Sequence, residues 1–256
     1  MSVEPDMPLV EALTKAERMV IFTGAGISTA SGIPDYRGPD GLWKTRQPVF
    51  FQDFMHDEAA RLEYWTQKSE DWAAFGAAEP NAVHRAIVDL EKAGKVFLVL
   101  TQNIDGLHAA AGTSPARLVE LHGTNREVAC MRCHARHPAP EYYETFAQTK
   151  TPPVCACGGF IKPATISFGQ DLLVSDMKRA QEAVFSADLM IALGSTLSVQ
   201  PAANFTILAA RQGCPYYVIN RGPTAHDGHP LVTRRLEGDV LELFPAAVDA
   251  ALAMFG

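Results

Sequence analysis

The sequence predicts an α/β protein built around a doubly wound parallel sheet, and two observations favour this fold class. Short, almost continuously apolar runs recur along the 256 residues, as expected of parallel strands that are buried on both faces. Amphipathic helical patterns separate some of these runs, an alternation typical of a Rossmann-like sheet. The predicted strands are MVIFTG (19–24), VFLVLTQN (96–103), RLVELHG (117–123), DLMIALGST (188–196) and YYVINR (216–221).

The helical patterns lie at residues 81–94 and 175–186. In the first, NAVHRAIVDLEKAG, Asn81 can cap the first turn, and Gly94 suits the left-handed conformation that ends many helices. Two stretches break the alternation. Residues 38–80 are aromatic and irregular before they become helical, and residues 126–159 hold four cysteines, several prolines and little apolar periodicity.

These breaks predict the domain organisation. We expect a large Rossmann-type domain from residues 1–125 and 160–256, with a cofactor loop and a helical lobe inserted at 38–80. Residues 126–159 would form a small inserted module. This module has few apolar residues for a core of its own, so a bound metal is expected to supply part of its stability.

Composition and charge limit the classes of partner. Apolar residues make up 47% of the chain and charged residues 20%, and no apolar run reaches the roughly 20 residues of a membrane span. The formal net charge of -7 disfavours nonspecific nucleic-acid binding. The first residues, MSVEPDMPLVEAL, lack the basic start of a secretory signal. We therefore expect a soluble cytoplasmic monomer with no nucleic-acid and no membrane partner.

The stretch TGAGISTASGIPDYRG, residues 23–38, follows the first predicted strand and is a candidate phosphate-binding turn. Backbone amides at such a turn point at an anion. The GxGxxG pattern is not met, because Thr29 stands at the third glycine, so a turn that only permits close packing is an alternative. Tyr36 and Arg37 are expected to face a ligand, and a solvated Arg37 is the alternative.

Polar residues also follow the other predicted strands. Gln102, Asn103 and Asp105 come directly after VFLVL, at the carboxyl end where open α/β sheets bind ligands. Their side chains suit a carboxamide or ribose hydroxyls, and a loop held by Asx turns is the alternative. GSTLSVQPA (194–202) and Asn220 add two more polar strand ends, for which turn chemistry is equally possible.

His122 ends the strand RLVEL and is a better candidate for a general base than His108. Its neighbour Gly123 is expected to leave room for a substrate, and histidine titrates near neutral pH. For any single histidine, a structural role is the general alternative.

The four clustered cysteines predict a zinc site. Cys130 and Cys133 (CMRC) precede Cys155 and Cys157 (CAC) with 21 residues between the pairs, close to the spacing of Cys₄ zinc sites. Four thiolates would fill the coordination sphere, so the metal would be structural. Reduced, metal-free cysteines are the alternative, and His134 or His137 are less favoured substitutes for one thiolate.

Together these motifs resemble the sirtuins. GAGIS followed by SGIPDYRG, TQNIDGLH, the LHG of His122, the paired cysteines, KPATISFG, GSTLSVQPA and VIN occur in the order of that family, from about residue 20 to residue 240. The resemblance implies NAD as a co-substrate and one structural zinc ion. It also implies acyl-lysine proteins or peptides as substrates, which would enter a tunnel between the large domain and the zinc module.

The resemblance further implies roles for individual residues. His122 and Asn103 would be catalytic, and Ile166, Phe168 and Gly169 would contact the substrate, whose backbone would pair with FGQ (168–170) as an added strand. The residues that would bind the cofactor are Gly24, Ala25, Gly26, Ser28, Asp35, Tyr36, Arg37, Gln102, Asn103, Ile104, Asp105, Gly194, Ser195, Asn220 and Asp239.

The reaction implied by the resemblance is NAD-dependent removal of an acyl group, expected to be acetyl, from lysine. The acyl oxygen attacks the ribose carbon as nicotinamide departs, and His122 then activates a ribose hydroxyl as general base. The products are free lysine, nicotinamide and O-acyl-ADP-ribose. A protein mono-ADP-ribosyltransferase and a catalytically idle NAD or ADP-ribose binding module are the alternatives.

Three departures from the family pattern bear on the zinc site and on specificity. CxC replaces CxxC in the second cysteine pair, and FGQ replaces the common FGE. Family members that remove succinyl or malonyl groups carry a Tyr and an Arg three residues apart in the helical lobe, whereas EYWTQKSED (63–71) has Tyr64 and no arginine. An acidic acyl group would therefore lack its cation, unless Lys68 substitutes.

Overall fold

The computed structural model describes residues 4–36, 41–44 and 46–254. Their strands are β1 (Met19–Thr23), β2 (Val96–Thr101), β3 (Leu118–Glu120), β4 (Gly123–Cys130), β5 (Arg136–Pro138), β6 (Ile161–Thr165), β7 (Leu189–Leu193), β8 (Tyr216–Asn220) and β9 (Arg234–Glu237). Their α-helices are α1 (Met7–Lys15), α2 (Phe51–His56), α3 (Glu58–Ala77), α4 (Ala82–Lys92), α5 (Leu107–Ala111), α6 (Pro140–Thr149), α7 (Val174–Ser186), α8 (Asn204–Arg211) and α9 (Val240–Leu252). No helix in these ranges is long and apolar enough to cross a membrane.

Six strands form one parallel sheet in the order β3-β2-β1-β7-β8-β9, which confirms the predicted doubly wound α/β fold. All five predicted strands are present. The sixth, β9, was missed because its residues RRLE lie only partly buried at the edge of the sheet and lack an apolar run. The strand order reverses between β1 and β7, and this switch point is where such sheets bind ligands.

Helices cover both faces of the sheet because the strand residues alternate between two cores. Met19 and Ile21 of β1 pack with α1, α4 and α9, whereas Val20 and Phe22 pack with α7 and α8. This burial on both faces explains why the sheet strands read as continuous apolar runs rather than as alternating ones.

Helix α4 begins at the predicted cap. The Asn81 side chain accepts a hydrogen bond from the Val83 amide at 3.0 Å, and its Nδ2 donates to the Ile27 carbonyl oxygen at 2.7 Å. Gly94 follows the helix with φ +77, the left-handed conformation expected of a terminator. The cap thus also fixes the start of α4 to the glycine-rich turn after β1.

The cysteine-rich region is built on a three-stranded antiparallel sheet in the order β5-β4-β6, and its helix α6 packs against α3 of the helical lobe. It has no separate core. Tyr143 and Phe146 of α6 and Val128 of β4 form one buried cluster with Trp65 of α3 and Phe54 of α2. The helical lobe therefore supplies the apolar surface that the cysteine-rich sequence lacks.

Trp65→Ala is expected to destabilise the protein by about 3–5 kcal/mol, the range for loss of a buried large aromatic side chain. Trp65 is 0% exposed, and its Nε1 donates to the Ile161 carbonyl oxygen of β6 at 3.0 Å, so the change also leaves that acceptor unpaired. Denaturant unfolding measures the difference. Leu62→Ala, on the exposed face of the same helix, is the control, and an equal effect of the two changes would contradict the shared core.

Candidate functional site

The carboxyl ends of β1, β2, β7 and β8 open into a cavity of about 920 Å³. This volume lies in the range of small-molecule and cofactor sites. The cavity is lined by sixteen of the candidate residues: Gly24, Ala25, Gly26, Asp35, Tyr36, Gln102, Asn103, Ile104, His122, Ile166, Phe168, Gly169, Gly194, Ser195, Asn220 and Asp239. Ser28 and Asp105 lie just behind this wall, and Arg37 lies outside the described residues.

The glycine-rich turn packs directly against the end of β7. The Gly24 amide donates to the Leu193 carbonyl at 3.0 Å, and the Gly26 amide donates to the Gly194 carbonyl at 2.9 Å. A Cβ on either glycine would lie 2.8 Å from the Gly194 oxygen, which leaves no space for a side chain. Close packing thus accounts for these two glycines, while Ala25 between them lines the cavity.

Asn103 is the centre of a buried hydrogen-bond network. Its Nδ2 donates to the Gly24 carbonyl at 3.2 Å and to Ser28 Oγ at 3.1 Å, and Ser28 Oγ donates to Asp105 Oδ2 at 2.7 Å. Burial raises the pKa of Asp105, against the effect of its hydrogen bonds to Leu107 and Ser28. The network fixes the Asn103 side chain between β1 and β2, where Asn103 lines the cavity.

His122 is held in one tautomer by the backbone. Its Nδ1 lies 3.0 Å from the Gln102 carbonyl oxygen, which can only accept a hydrogen bond, so Nδ1 carries the hydrogen and Nε2 of the neutral ring holds the lone pair. Gln102 is itself fixed. Its backbone amide donates to the Thr23 carbonyl oxygen at 2.9 Å, and its side-chain Oε1 accepts from Ser195 Oγ at 2.8 Å. The geometry suits a general base at the cavity wall.

His108 has the features of a structural histidine. It is 2% exposed, and its Nε2 lies 2.9 Å from the hydroxyl of Thr23. Burial lowers its pKa to about 3, so the ring is neutral and does not titrate near pH 7. Its position supports the choice of His122 over His108.

The structure explains why position 123 is a glycine, and the sequence did not reveal this explanation. Gly123 adopts φ +72, and a Cβ there would lie 2.1 Å from the Ala164 carbonyl oxygen of β6. Gly123 does not line the cavity, so it does not make room for a substrate as we expected from its place beside His122. It permits β4 to approach β6 directly after the candidate base.

Gly123→Ala is expected to lower both stability and kcat/KM, because the added methyl must displace β6 and shift His122. Gly94→Ala is a matched control: it has a similar φ of +77, but nothing lies within 4 Å of its Cβ. Thermal unfolding and steady-state kinetics measure the two variants. Backbone strain alone costs about 1–2 kcal/mol, so equal losses in the two variants would contradict the steric role.

The four predicted cysteine ligands come together. Their Sγ atoms all lie within 4.8 Å of one another, with Cys130 and Cys157 3.5 Å apart and Cys133 and Cys155 3.8 Å apart. Hydrogen bonds from the backbone amides of Cys133 and Arg132 lower the pKa of Cys130, whereas the neighbouring thiols of Cys157 and Cys130 raise the pKa of Cys133 against the hydrogen bond from the Ala135 amide. His134 and His137 do not belong to this cluster. Cys214 is buried and lies outside this cluster.

Two features near the site were not predicted from the sequence, an aromatic wall and a buried lysine. The Trp43 ring lies tilted beside Tyr36 and edge-on to Phe168, with centroids 5.1 Å apart in both pairs, and so joins the loop after β1 to the loop after β6. Lys162 is 0% exposed in β6. The one available signal for it was a lysine inside the otherwise apolar run IKPAT, and nothing in the sequence placed Trp43 beside Phe168.

Comparison with known proteins agrees with this geometry. The sequence model of the Sir2 family matches residues 24–201. An NAD-dependent protein deacetylase of Rhodopseudomonas palustris is 43% identical over 238 residues, which cover 92% of this chain and 94% of the relative. A protein of the same name from Haloarcula marismortui is 42% identical over 245 residues, with 94% and 92% covered.

Solved structures of Sir2 proteins are also similar to this chain over almost its whole length. A Sir2 variant with a deacetylated p53 peptide and 3′-O-acetyl ADP-ribose superimposes with a TM-score of 0.87 at 33% identity, over 96% of this chain and 97% of that one. A Sir2 complex with a p53 peptide and NAD⁺ gives a TM-score of 0.85 at 31% identity, over 96% and 98%.

Proposed function

The chain belongs to the Sir2 family, and we propose that it is an NAD-dependent protein lysine deacylase that removes acetyl groups from lysine. The observation that carries the proposal is the position of His122, a histidine of fixed tautomer in the wall of the cavity at the switch point. The products would be the free lysine, nicotinamide and O-acyl-ADP-ribose.

The side chains around the cavity fit NAD by their chemistry. Hydroxyl, amide and carboxylate groups from four strand ends can bond ribose hydroxyls and a carboxamide. We assign Gln102, Asn103, Ile104 and Asp105 to the nicotinamide and its ribose. Gly24, Ala25, Gly26 and Ser28 would form the turn near the phosphates, and Gly194, Ser195, Asn220 and Asp239 the adenosine end. Asp35 and Tyr36 would face the cofactor from the loop after β1, and Arg37, which lies outside the described residues, is proposed as a cofactor-binding residue on the resemblance alone.

Bound NAD supplies an ADP-ribosyl group whose bond to nicotinamide is broken in the reaction. The chain itself supplies the base: His122 Nε2 accepts a proton from a ribose hydroxyl while the Gln102 carbonyl holds Nδ1–H. Asn103, fixed by Gly24 and Ser28, positions the reacting groups beside it. Tyr36, Trp43 and Phe168 form an apolar wall that would exclude water from the reacting atoms.

The substrate would lie along the segment that follows β6. The Ile166 amide donates to the His122 carbonyl at 2.7 Å, so the proposed substrate residues are tied directly to the proposed base. The Phe168 carbonyl accepts a hydrogen bond from the Phe51 amide at 2.8 Å, which holds the same segment to the helical lobe. Ile166, Phe168 and Gly169 are therefore proposed as the residues that bind the acyl-lysine peptide.

The cysteine cluster fits one zinc ion. At a Zn–S distance of about 2.3 Å, tetrahedral coordination places the sulfur atoms about 3.8 Å apart, close to the spacings observed here. Four protein ligands leave no position for a substrate, so zinc would stabilise the module of residues 126–159. That module and the large domain of residues 1–125 and 160–256, with its insertion at 38–80, are the proposed domains.

We further propose that the protein acts as a cytoplasmic monomer that binds no nucleic acid. The net charge of -7 supports the last point, since nucleic-acid binding depends on neutralising phosphates. Sedimentation of the purified protein at micromolar concentration measures the mass of the particle, and a dimer would contradict the monomer.

Nicotinamide release tests the proposed function. With an acetyl-lysine peptide and NAD the protein is expected to release nicotinamide, and with the same peptide unacetylated it is not, because the acyl oxygen is the nucleophile. Equal release without the acetyl group would contradict deacylation. Transfer of labelled ADP-ribose to protein would instead favour a mono-ADP-ribosyltransferase.

A further inference from the structure

The loop that we assign to nicotinamide, residues 103–106, is held from outside the cavity by strand β4. The Asn125 amide of β4 donates to the Ile104 carbonyl oxygen at 2.9 Å. The next residue, Arg126, lies with its side chain directly over Gly106, where a Cβ would come within 2.6 Å of Arg126 Cδ. Arg126 does not line the cavity, so it would act on a bound cofactor through the loop and not by contact.

Arg126 interacts with two carboxylates on different segments. Its Nη2 lies 3.8 Å from Glu120 Oε1, at the end of β3 and two residues before His122, the proposed base. Burial raises the pKa of the Asp105 carboxyl, and the Arg126 guanidinium opposes this shift. One guanidinium therefore attracts the nicotinamide loop and also the end of the strand that leads to the base.

Glu120 is ionised only near and above neutral pH. Its side chain is 21% exposed, and burial raises its pKa to about 7 against the attraction of Arg126. Three other charged groups face it. Asp105 in the loop and Glu127 on β4 raise its pKa, and Arg136 on β5 lowers it. The ion pair with Arg126 is therefore formed at pH 8 and largely lost at pH 6.

The location of this ion pair matters more than its strength. A half-exposed pair contributes little to stability by itself. Here, however, its two ends lie on the segments that carry Asn103 and His122, the two proposed catalytic residues. The distance between these segments decides whether the base lies beside the ribose, and small misplacements of reacting groups reduce rates strongly.

We propose that Arg126 is a positioning residue that holds the loop of residues 103–106 at the distance from β3 that NAD binding requires, and that Glu120 makes this restraint depend on pH. The inference rests on the assignment of the loop to nicotinamide in the proposed function. With Glu120 ionised, the guanidinium is attracted to both segments. With Glu120 protonated, Arg126 stays over the loop but no longer ties it to β3.

The dissociation constant of NAD, measured by titration calorimetry at pH 8 and pH 6, tests the restraint without requiring turnover. At pH 8, Arg126→Met, which removes the charge and keeps an apolar side chain, is expected to raise the Kd about fivefold, the upper range for a half-exposed ion pair. At pH 6 the rise should be less than about twofold, because Glu120 is then neutral. Other groups that titrate are common to both proteins, so their effects cancel in this ratio.

Three further variants assign the effect. Arg126→Lys, which keeps the charge, is expected to stay within about twofold of the unmodified protein, since the contact to Glu120 is made by one nitrogen. In a Glu120→Gln background, Arg126→Met should raise the Kd by the same small factor at both pH values. Arg234→Met is the control. Arg234 is also half-exposed and pairs with Asp6, but at the opposite edge of the sheet, so its loss should lower the thermal midpoint and leave the Kd unchanged.

Each outcome decides between the claims. A Kd that Arg126→Met leaves unchanged at pH 8 overturns the restraint, and so does an equal rise in Arg234→Met, which would reflect lost stability. A fivefold rise that is the same at both pH values overturns the role of Glu120. Nicotinamide release with an acetyl-lysine peptide is measured on the same samples. Its absence from an unmodified protein that binds NAD overturns the proposed function, while the titration still decides the restraint.

Discussion

His122→Ala is expected to lower kcat/KM for an acetyl-lysine peptide by about 10²- to 10⁴-fold, the usual contribution of a general base. The Nε2 lone pair is the acceptor that the ring offers when Nδ1–H is held by the Gln102 carbonyl, and alanine removes it. Formation of deacetylated peptide, followed by mass spectrometry, measures the loss.

The matched control is His56→Ala. His56 is exposed on α2, and its Nδ1 also lies 2.8 Å from a backbone carbonyl, that of Gln52, but it does not line the cavity. Its loss is expected to change kcat/KM less than twofold. Retention of more than about a tenth of the activity in His122→Ala would remove this residue from the role of general base.

Loss of the zinc site is expected to unfold the cysteine-rich module and to loosen the helical lobe with it. Structural zinc in small modules contributes on the order of 10 kcal/mol at pH 7. Because Trp65 and Phe54 of the lobe share one buried cluster with Cys130 and Tyr143, disorder in the module removes the surface on which the lobe packs. Cys130→Ser should therefore abolish zinc retention and lower the thermal midpoint.

Zinc content by elemental analysis and the near-ultraviolet circular dichroism of Trp65 and Trp72 measure these two effects. Trp72 stacks on Tyr143 with ring centroids 4.0 Å apart, so its signal reports on the contact between lobe and module. Cys214→Ser is the control, since this buried thiol lies outside the metal cluster and its loss should leave one zinc ion per chain. A Cys130→Ser variant that keeps zinc and its aromatic signal would contradict the shared core.

The parallel sheet could be predicted because its inner strands are buried on both faces, and continuous apolar runs such as MVIFT record that burial directly. The edge strand RRLE could not, since partial exposure gives it no apolar run. The cysteine pairs predicted their own cluster because metal ligands are few in type and regular in spacing.

Within the site, residues at strand ends were predictable and residues brought in by tertiary packing were not. Gln102, Asn103 and His122 follow strands that the pattern predicts, so the sheet alone places them at one edge. The pairing of Trp43 with Phe168 joins segments 125 residues apart and leaves no local trace. The role of Gly123 was also misjudged, because the residue that it packs against, Ala164, lies far away in the sequence, on β6.

The products formed from one acetyl-lysine peptide and NAD test the central claim most directly. Mass spectrometry of the reaction is expected to find deacetylated peptide, nicotinamide and O-acetyl-ADP-ribose in equal amounts, with none of them formed when NAD is omitted. Deacetylation that yields free acetate and leaves NAD intact, or consumption of NAD that leaves the peptide acetylated, would contradict the account.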